Sequence, residues 1–396
     1  MALSTDTIVG VVGAGAMGTG IAQVAAAAGH KVVLGDAGHG ATQKAQASIA
    51  KAMDREVEKA RLSRDAADEL VSRIDFQWAP LTEDISAFRK CGLVIEAIVE
   101  DLEIKQTLFR RLEGEVSRDC VLATNTSSLS VASIASDCDA PERVIGIHFF
   151  NPAPVMPLVE IVPWLGGNPM LAPETYAMIQ RWRKVPVLAS DTPGFIVNRV
   201  ARPFYGESLR LLDEGVADIA TIDWAMKQFG GFRMGPFELM DFIGNDVNYA
   251  VTRSVFESMY YDPRYRPSLT QRRLVESRFF GKKSGRGYYD YREGAMKPQA
   301  KTDEALGKQI FERVLAMLMN EAIDAVHMQV ATPKDVDLAM TKGVNYPKGL
   351  LAWADELGLD TVLSRLEALQ AEYGEDRYRP SPLLRRMVRD KHRFFT

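Results

Sequence analysis

The chain has 396 residues, 46% hydrophobic and 25% charged, with 48 Lys plus Arg against 52 Asp plus Glu and a formal net charge of −4. That length implies about two to three domains, and the composition excludes disordered, fibrous and disulfide-scaffold classes. So balanced a charge supplies no global field for gripping nucleic acid or an acidic membrane; an anionic ligand must be held by local amides or a few placed cations.

In chain order, apolar runs at residues 7–12, 31–34, 74–78, 93–97, 120–124, 143–148, 158–162 and 185–189 read as strands. Several are apolar on consecutive positions, as expected when helices cover both faces of a parallel sheet. Residues 40–72, rich in Ala, Lys, Arg and Glu, read as a helical excursion. From residue 190 onward the pattern is helical. No secretory leader precedes the first strand, and no apolar run reaches the length of a membrane span. The three cysteines, Cys91, Cys120 and Cys138, are odd in number and lack CxxC spacing, which suits a reducing compartment. A cytoplasmic enzyme is the expectation.

The helical part repeats itself. A shift of 114 positions places Glu207 on Glu321, Asp223 on Asp337, Gly235 on Gly349, Asp241 on Asp355 and Gly244 on Gly358. One further slip places the run 264–268, Arg-Tyr-Arg-Pro-Ser, on 377–381. The expected organisation is a nucleotide-binding domain over 1–189 followed by two helical copies, 190–292 and 303–396. The second copy carries Glu312 where the first has Asn198, and it lacks the Pro193-Gly194 turn. Its role is expected to be architectural.

Residues 13–18, Gly13-Ala14-Gly15-Ala16-Met17-Gly18, form a GxGxxG between a strand and an Ala-rich helix, and Asp36 ends the next strand 21 residues after Gly15. In that context the glycines give a tight turn, a close approach to a pyrophosphate and close helix packing. The diphosphate would sit on the helix N-terminus. Asp36 would accept hydrogen bonds from the ribose and repel a 2′-phosphate, so the expected cofactor is NAD. The fold class is an α/β Rossmann-type N-terminal domain followed by duplicated all-α C-terminal domains. Further along, Ser127, His148 and Glu160 lie at strand ends or on a strand. Imidazole titrates near neutral pH and can take a hydroxyl proton while a hydride leaves the same carbon. A carboxylate on its second nitrogen would fix the tautomer, if strand pairing brings Glu160 to His148. Ser127 and Asn198 are candidates for orienting substrate oxygens.

These residues, with the segments 96–101, 125–128, 148–152, 191–199, 234–239 and 281–289, resemble the L-3-hydroxyacyl-CoA dehydrogenases over about residues 6–292. The resemblance implies oxidation of an L-3-hydroxyacyl-CoA to the 3-ketoacyl-CoA with NAD, in fatty acid metabolism. It makes His148 the general base and Glu160 its electrostatic partner, with Ser127 and Asn198 at the substrate. Glu100, Lys105, Ser127, Asn151 and Lys283 fall on cofactor-contact positions. Lys59 matches a coenzyme A lysine, while Ala52 stands where family members carry a serine. The tandem helical domains resemble those of multifunctional fatty-oxidation enzymes, but here no hydratase precedes them, so a monofunctional enzyme is implied, as monomer or homodimer. Lys44, Lys51, Arg55 and Lys59 share one helix face; they suit an anionic coenzyme or, equally, a solvated surface. Alternatives are a dehydrogenase of a non-CoA 3-hydroxy acid, of gulonate or carnitine type, and a non-catalytic crystallin-like NAD binder.

Overall fold

A computed structural model of the chain describes residues 3–78 and 84–395. The chain forms two compact units, Met1–Thr192 and Pro193–Thr396.

The first unit is an α/β layer structure. Its strands are β1 (Val9–Val12), β2 (Val32–Asp36), β3 (Ile74–Trp78), β4 (Leu93–Glu96), β5 (Val121–Thr124), β6 (Val144–Phe149), β7 (Leu158–Val162) and β8 (Val185–Leu188). They form one sheet in the order β3-β2-β1-β4-β5-β6-β7-β8. All neighbours are parallel except β6 and β7. Residues of β1, β4, β5, β6 and β7 are buried throughout. That is why these segments read as continuous apolar runs rather than alternating ones. Pro186 lies in β8, at the edge of the sheet, where a missing N–H breaks no ladder.

Helices of this unit are α1 (Ala16–Ala27), α2 (Ala41–Glu58), α3 (Arg64–Ser72), α4 (Leu102–Glu115), α5 (Val131–Ala135) and α6 (Leu171–Arg181). The excursion is therefore a helix pair, α2 and α3. Thr42, Ala45, Ile49 and Met53 are the buried face of α2, and full burial of an Ile or Met side chain stabilises by about 1.5–3 kcal/mol. Asp191 at the end of this unit caps α5: its carboxylate accepts N–H bonds from Val131 and Ala132, at 2.9 and 2.8 Å. A carboxylate there complements the positive end of the helix dipole.

The second unit is all-α, and the repeat governs it. The first copy comprises α7 (Val197–Val200), α8 (Arg202–Asp213), α9 (Ile219–Gly230), α10 (Pro236–Ile243), α11 (Asn245–Ser258) and α12 (Leu269–Glu276). The second comprises α13 (Glu304–His327), α14 (Pro333–Gly343), α15 (Leu350–Leu357), α16 (Leu359–Tyr373) and α17 (Pro382–Asp390). Under the 114-residue shift, α10 coincides with α15, while α11 and α16 start together. The copies diverge at the start. Pro203, at the first turn of α8, separates it from α7, because proline lacks the N–H that a continuous helix would need. The second copy has Met317 in that place and runs unbroken through α13.

Local devices are duplicated too. Asp223 accepts N–H bonds from Phe237 and Glu238 at 2.9 and 3.0 Å, and Asp337 does the same with Leu351 and Ala352 at 2.8 and 3.0 Å. Each carboxylate caps the helix that follows it, α10 or α15. The copies are joined by buried ions. Arg199 and Arg264 of the first meet Glu321 and Asp324 of the second; Arg313 and Arg377 of the second meet Glu207 of the first. Tyr265 and Tyr378 complete the two clusters, donating to Glu321 at 2.5 Å and to Glu207 at 2.7 Å. Each patch is matched by its own counterpart, the arrangement of an isologous dimer within one chain.

Candidate active site

The nucleotide end is built where β1 turns into α1. Gly13 has φ +105°, and a Cβ there would lie 2.5 Å from the Ala97 carbonyl oxygen; a Cβ on Gly18 would lie 1.7 Å from that of Gly13. Neither position admits a side chain. Above Gly15, by contrast, there is open space within 4 Å. Gly15 is the N-cap of α1 and supplies no side-chain cap, so the first amides of the helix, beginning at Ala16 and Met17, remain available to an anion. Asp36, at the end of β2, accepts N–H bonds from Ala14 and Gly38, each at 2.6 Å. A cavity of about 790 Å³ opens here, lined by Gly13, Gly15, Asp36, Ile98, Val99 and Ile104 among others. Open backbone at Gly15, an uncapped helix end and a carboxylate beside them fit the pyrophosphate and ribose of NAD. Arg111 of α4 also lines the cavity, a position that no motif in the sequence had indicated.

The next layer is a buried charge relay. Glu96, fully buried at the end of β4, accepts from the Lys105 ammonium at 2.5 Å, from Thr124 Oγ1 at 2.8 Å and from the Ile98 N–H at 2.7 Å. Lys105 is 1% exposed and also reaches Glu100 at 3.3 Å. Glu100 in turn accepts from Thr126 Oγ1, Ser128 Oγ and the Ser127 and Ser128 N–H groups, at 2.6, 2.8, 3.0 and 3.1 Å. Burial pushes the Glu100 carboxyl up, but Lys105 and the hydroxyl and amide donors outweigh it and hold it below its usual range. The residues expected at the cofactor thus divide. Glu100 and Ser127 share one loop cluster, whereas Lys105 is turned into the protein and acts on Glu100. Asn151 is exposed just beyond β6.

His148 and Glu160 are direct register partners on the antiparallel strands β6 and β7. His148 Nδ1 lies 2.7 Å from Glu160 Oε2, and the two residues are 6% and 0% exposed. An ionised carboxylate only accepts, so Nδ1 carries the proton and Nε2 is left as the basic nitrogen. Phe150 packs against the imidazole, ring centroids 4.5 Å apart. Asn125, at the end of β5, accepts the Phe149 N–H at 2.8 Å, which ties the serine-bearing loop to the histidine strand. Asn125 lay inside a recognised motif, but its role as a tether needed the register of β5 against β6.

Two expected residues belong to the helical unit. Asn198 is on α7, and Lys283 is half-exposed with its ammonium 2.6 Å from Asp246. On α2 Lys44, Lys51 and Arg55 are exposed, as is Lys59 at its C-cap. Of the carboxylates interleaved with them, Asp54 pairs with Arg64 at 2.7 Å and Glu56 with Arg61 at 3.6 Å, while Glu58 is exposed beside Lys59. Groups of three or more His, Cys, Asp or Glu arranged to hold a metal do not occur among the described residues. Nor is any helix among them long and apolar enough to cross a membrane.

Known proteins resemble the chain over most of its length. The family described as 3-hydroxyacyl-CoA dehydrogenase, NAD binding domain, matches residues 8–192. The corresponding C-terminal domain matches twice, at 194–291 and 310–393, one match for each helical copy. The 3-hydroxyadipyl-CoA dehydrogenase of Escherichia coli is 38% identical over 97% of this chain and 98% of its own. The human mitochondrial hydroxyacyl-coenzyme A dehydrogenase is 40% identical over 71% of this chain and 90% of its own. Among solved structures, a 3-hydroxybutyryl-CoA dehydrogenase from Escherichia coli K12 superposes with a TM-score of 0.89 at 37% identity, covering 98% of both chains. The chain belongs to the 3-hydroxyacyl-CoA dehydrogenase family, NAD-dependent oxidoreductases that convert 3-hydroxyacyl-CoA to 3-ketoacyl-CoA.

Proposed function

We propose that His148 is the general base of this oxidation and Glu160 the carboxylate that orients it. The observation that carries the assignment is the buried 2.7 Å contact between Nδ1 and Oε2. The proton of the substrate hydroxyl passes to His148 Nε2, and Glu160 stabilises the imidazolium that forms. NAD supplies the hydride acceptor when bound. Ser127, held by Glu100 through its backbone N–H, and Asn198 orient the oxygens of the substrate. Glu96 and Lys105 are positioning residues, which keep Glu100 and the serine loop in place. In the reverse direction His148 returns the proton.

Coenzyme A is anionic, and the stripe of Lys44, Lys51, Arg55 and Lys59 is offered as its docking face, since Asp54 and Glu56 beside it are paired with other arginines. The enzyme is further proposed to be cytoplasmic. Because the helical copies already satisfy one another, a monomer is the favoured state. NADH formation from L-3-hydroxybutyryl-CoA, set against free 3-hydroxy acids such as gulonate and carnitine, tests the reading. Turnover of the free acids with none of the thioester would overturn it.

A further inference from the structure

Within the helical unit the buried arginines Arg199, Arg313 and Arg377 meet carboxylates of the other copy. Arg202 does not. It is the first residue of α8 and is 6% exposed. Its Nη1 donates to Thr252 Oγ1 at 3.0 Å, while its Nε is buried without a hydrogen-bond partner. Among the described residues no carboxylate pairs with it; the groups that act on its charge are the Tyr205 and Tyr346 phenols. We propose that Arg202 and the Tyr346 hydroxyl bind one small monovalent anion, a halide or the carboxylate of a small acid, between the two helical copies.

The residues around the guanidinium are buried too. Tyr205 is 4% exposed, with its ring centroid 5.0 Å from the guanidinium carbon. The face of a ring attracts a cation but leaves its net charge in place. Tyr346 comes from the second copy, in the loop between α14 and α15, and is 6% exposed. Its ring packs on Phe204 and Phe232, centroids 5.8 and 5.0 Å apart, and its hydroxyl is buried without a hydrogen-bond partner. The Thr252 hydroxyl is already committed, donating to the Asn248 carbonyl at 2.9 Å. Arginine does not shed its proton inside a protein, and an uncompensated buried charge is strongly unfavourable. A water molecule would satisfy the two orphaned donors and leave the charge; an anion answers both.

The repeat acts as an internal control. Under the 114-residue shift Arg202 falls on Ala316, Tyr205 on Met319, Thr252 on Leu366, and Tyr346 on Phe232. All four counterparts are apolar and at most 6% exposed. The same place in the fold is thus packed without a charge, and the architecture does not demand the arginine. Replacing buried ionic groups by apolar ones of similar volume is often neutral or stabilising. The first copy instead keeps a cation and hydroxyl groups where apolar packing would serve, and a bound counter-ion accounts for them.

The test follows thermal unfolding of the full chain in sodium chloride, sodium formate and sodium gluconate at equal ionic strength, gluconate being too bulky for a buried cluster. In the wild type, chloride or formate should raise Tm by about 2–4 °C over gluconate, and the rise should saturate. The stronger of the two says whether the site takes a halide or a carboxylate. Arg202→Met should lose that response and, in gluconate, unfold at or above the temperature of the wild type. Tyr346→Phe keeps the ring contacts and should raise the half-saturating concentration severalfold. A crystal structure in the stabilising salt, with bromide standing in for chloride, should place the anion beside Arg202 Nε. Equal Tm values for the wild type in all three salts, an undiminished response in Arg202→Met, or no anion beside Arg202 in that crystal overturns the proposal.

Discussion

Arg199 donates from Nε to Glu321 at 2.7 Å, and 114 residues later Arg313 donates from Nε to Glu207 at 2.6 Å. The arginine of each copy is held by the glutamate of the other. A duplicated sequence has therefore produced a two-fold interface inside one chain, with both halves of the interface buried. Such pairs are sensitive to the loss of one partner, because the remaining charge is buried without compensation.

Glu321→Ala leaves Arg199, Arg264 and the Tyr265 hydroxyl without their shared carboxylate. Asp324 still pairs with both arginines, so denaturant unfolding should show a loss of about 1–3 kcal/mol, the cost of the buried hydrogen bonds left unmade. Deleting everything after residue 300 should be worse, since it removes α13 from α8 and α9. A soluble, fully active monomer from that truncation, seen by sedimentation and NADH assay, would count against an architectural role for the second copy.

Replacing His148 by Gln removes the base but keeps a polar side chain of similar reach. Expected is a fall in kcat of about 10²–10⁴-fold, with NADH affinity, measured by fluorescence titration, changed less than about threefold. Glu160→Gln should also lower kcat, and the double variant should lose little more than His148→Gln alone, since the two act as a unit.

Glu100 links the site to pH. Its folded-state carboxyl lies below its ordinary value of 4.5, despite burial, because of Lys105 and the Thr126, Ser127 and Ser128 donors. The folded protein then binds fewer protons than the unfolded one as pH falls. The contribution of Glu100 to stability is complete above the unfolded value and is lost as pH drops through the folded one. Denaturation midpoints between about pH 6 and pH 3 should fall more steeply for the wild type than for Glu100→Gln. Parallel curves would show that the cluster does not stabilise the loop.

Lys59→Glu reverses one charge in the exposed stripe on α2. If that face docks coenzyme A, KM for an acyl-CoA should rise severalfold with kcat little changed, and the difference should shrink at high salt. An unchanged KM removes the stripe from the binding account.

Read alone, the sequence carried the eight strand segments, the glycine loop with Asp36 and the duplication, and it offered His148, Glu160, Ser127 and Asn198 as candidates. These were legible because the signals are local: consecutive apolar residues, glycine spacing, and matching residues at a constant shift. The remainder depends on contacts between residues far apart in the chain. The reversal of β7 against β6 sets His148 opposite Glu160, and a slip of one residue would have sent the two side chains to opposite faces. In the sequence Lys105 stands out only through the resemblance, as a cofactor-contact position. Burial against Glu96, nine residues earlier and at the end of β4, makes it part of a relay that holds Glu100. The partner of Arg199 lies 122 residues away. Apolar periodicity says which face of a helix is buried, but a buried ion pair needs its partner's position, and that follows from packing.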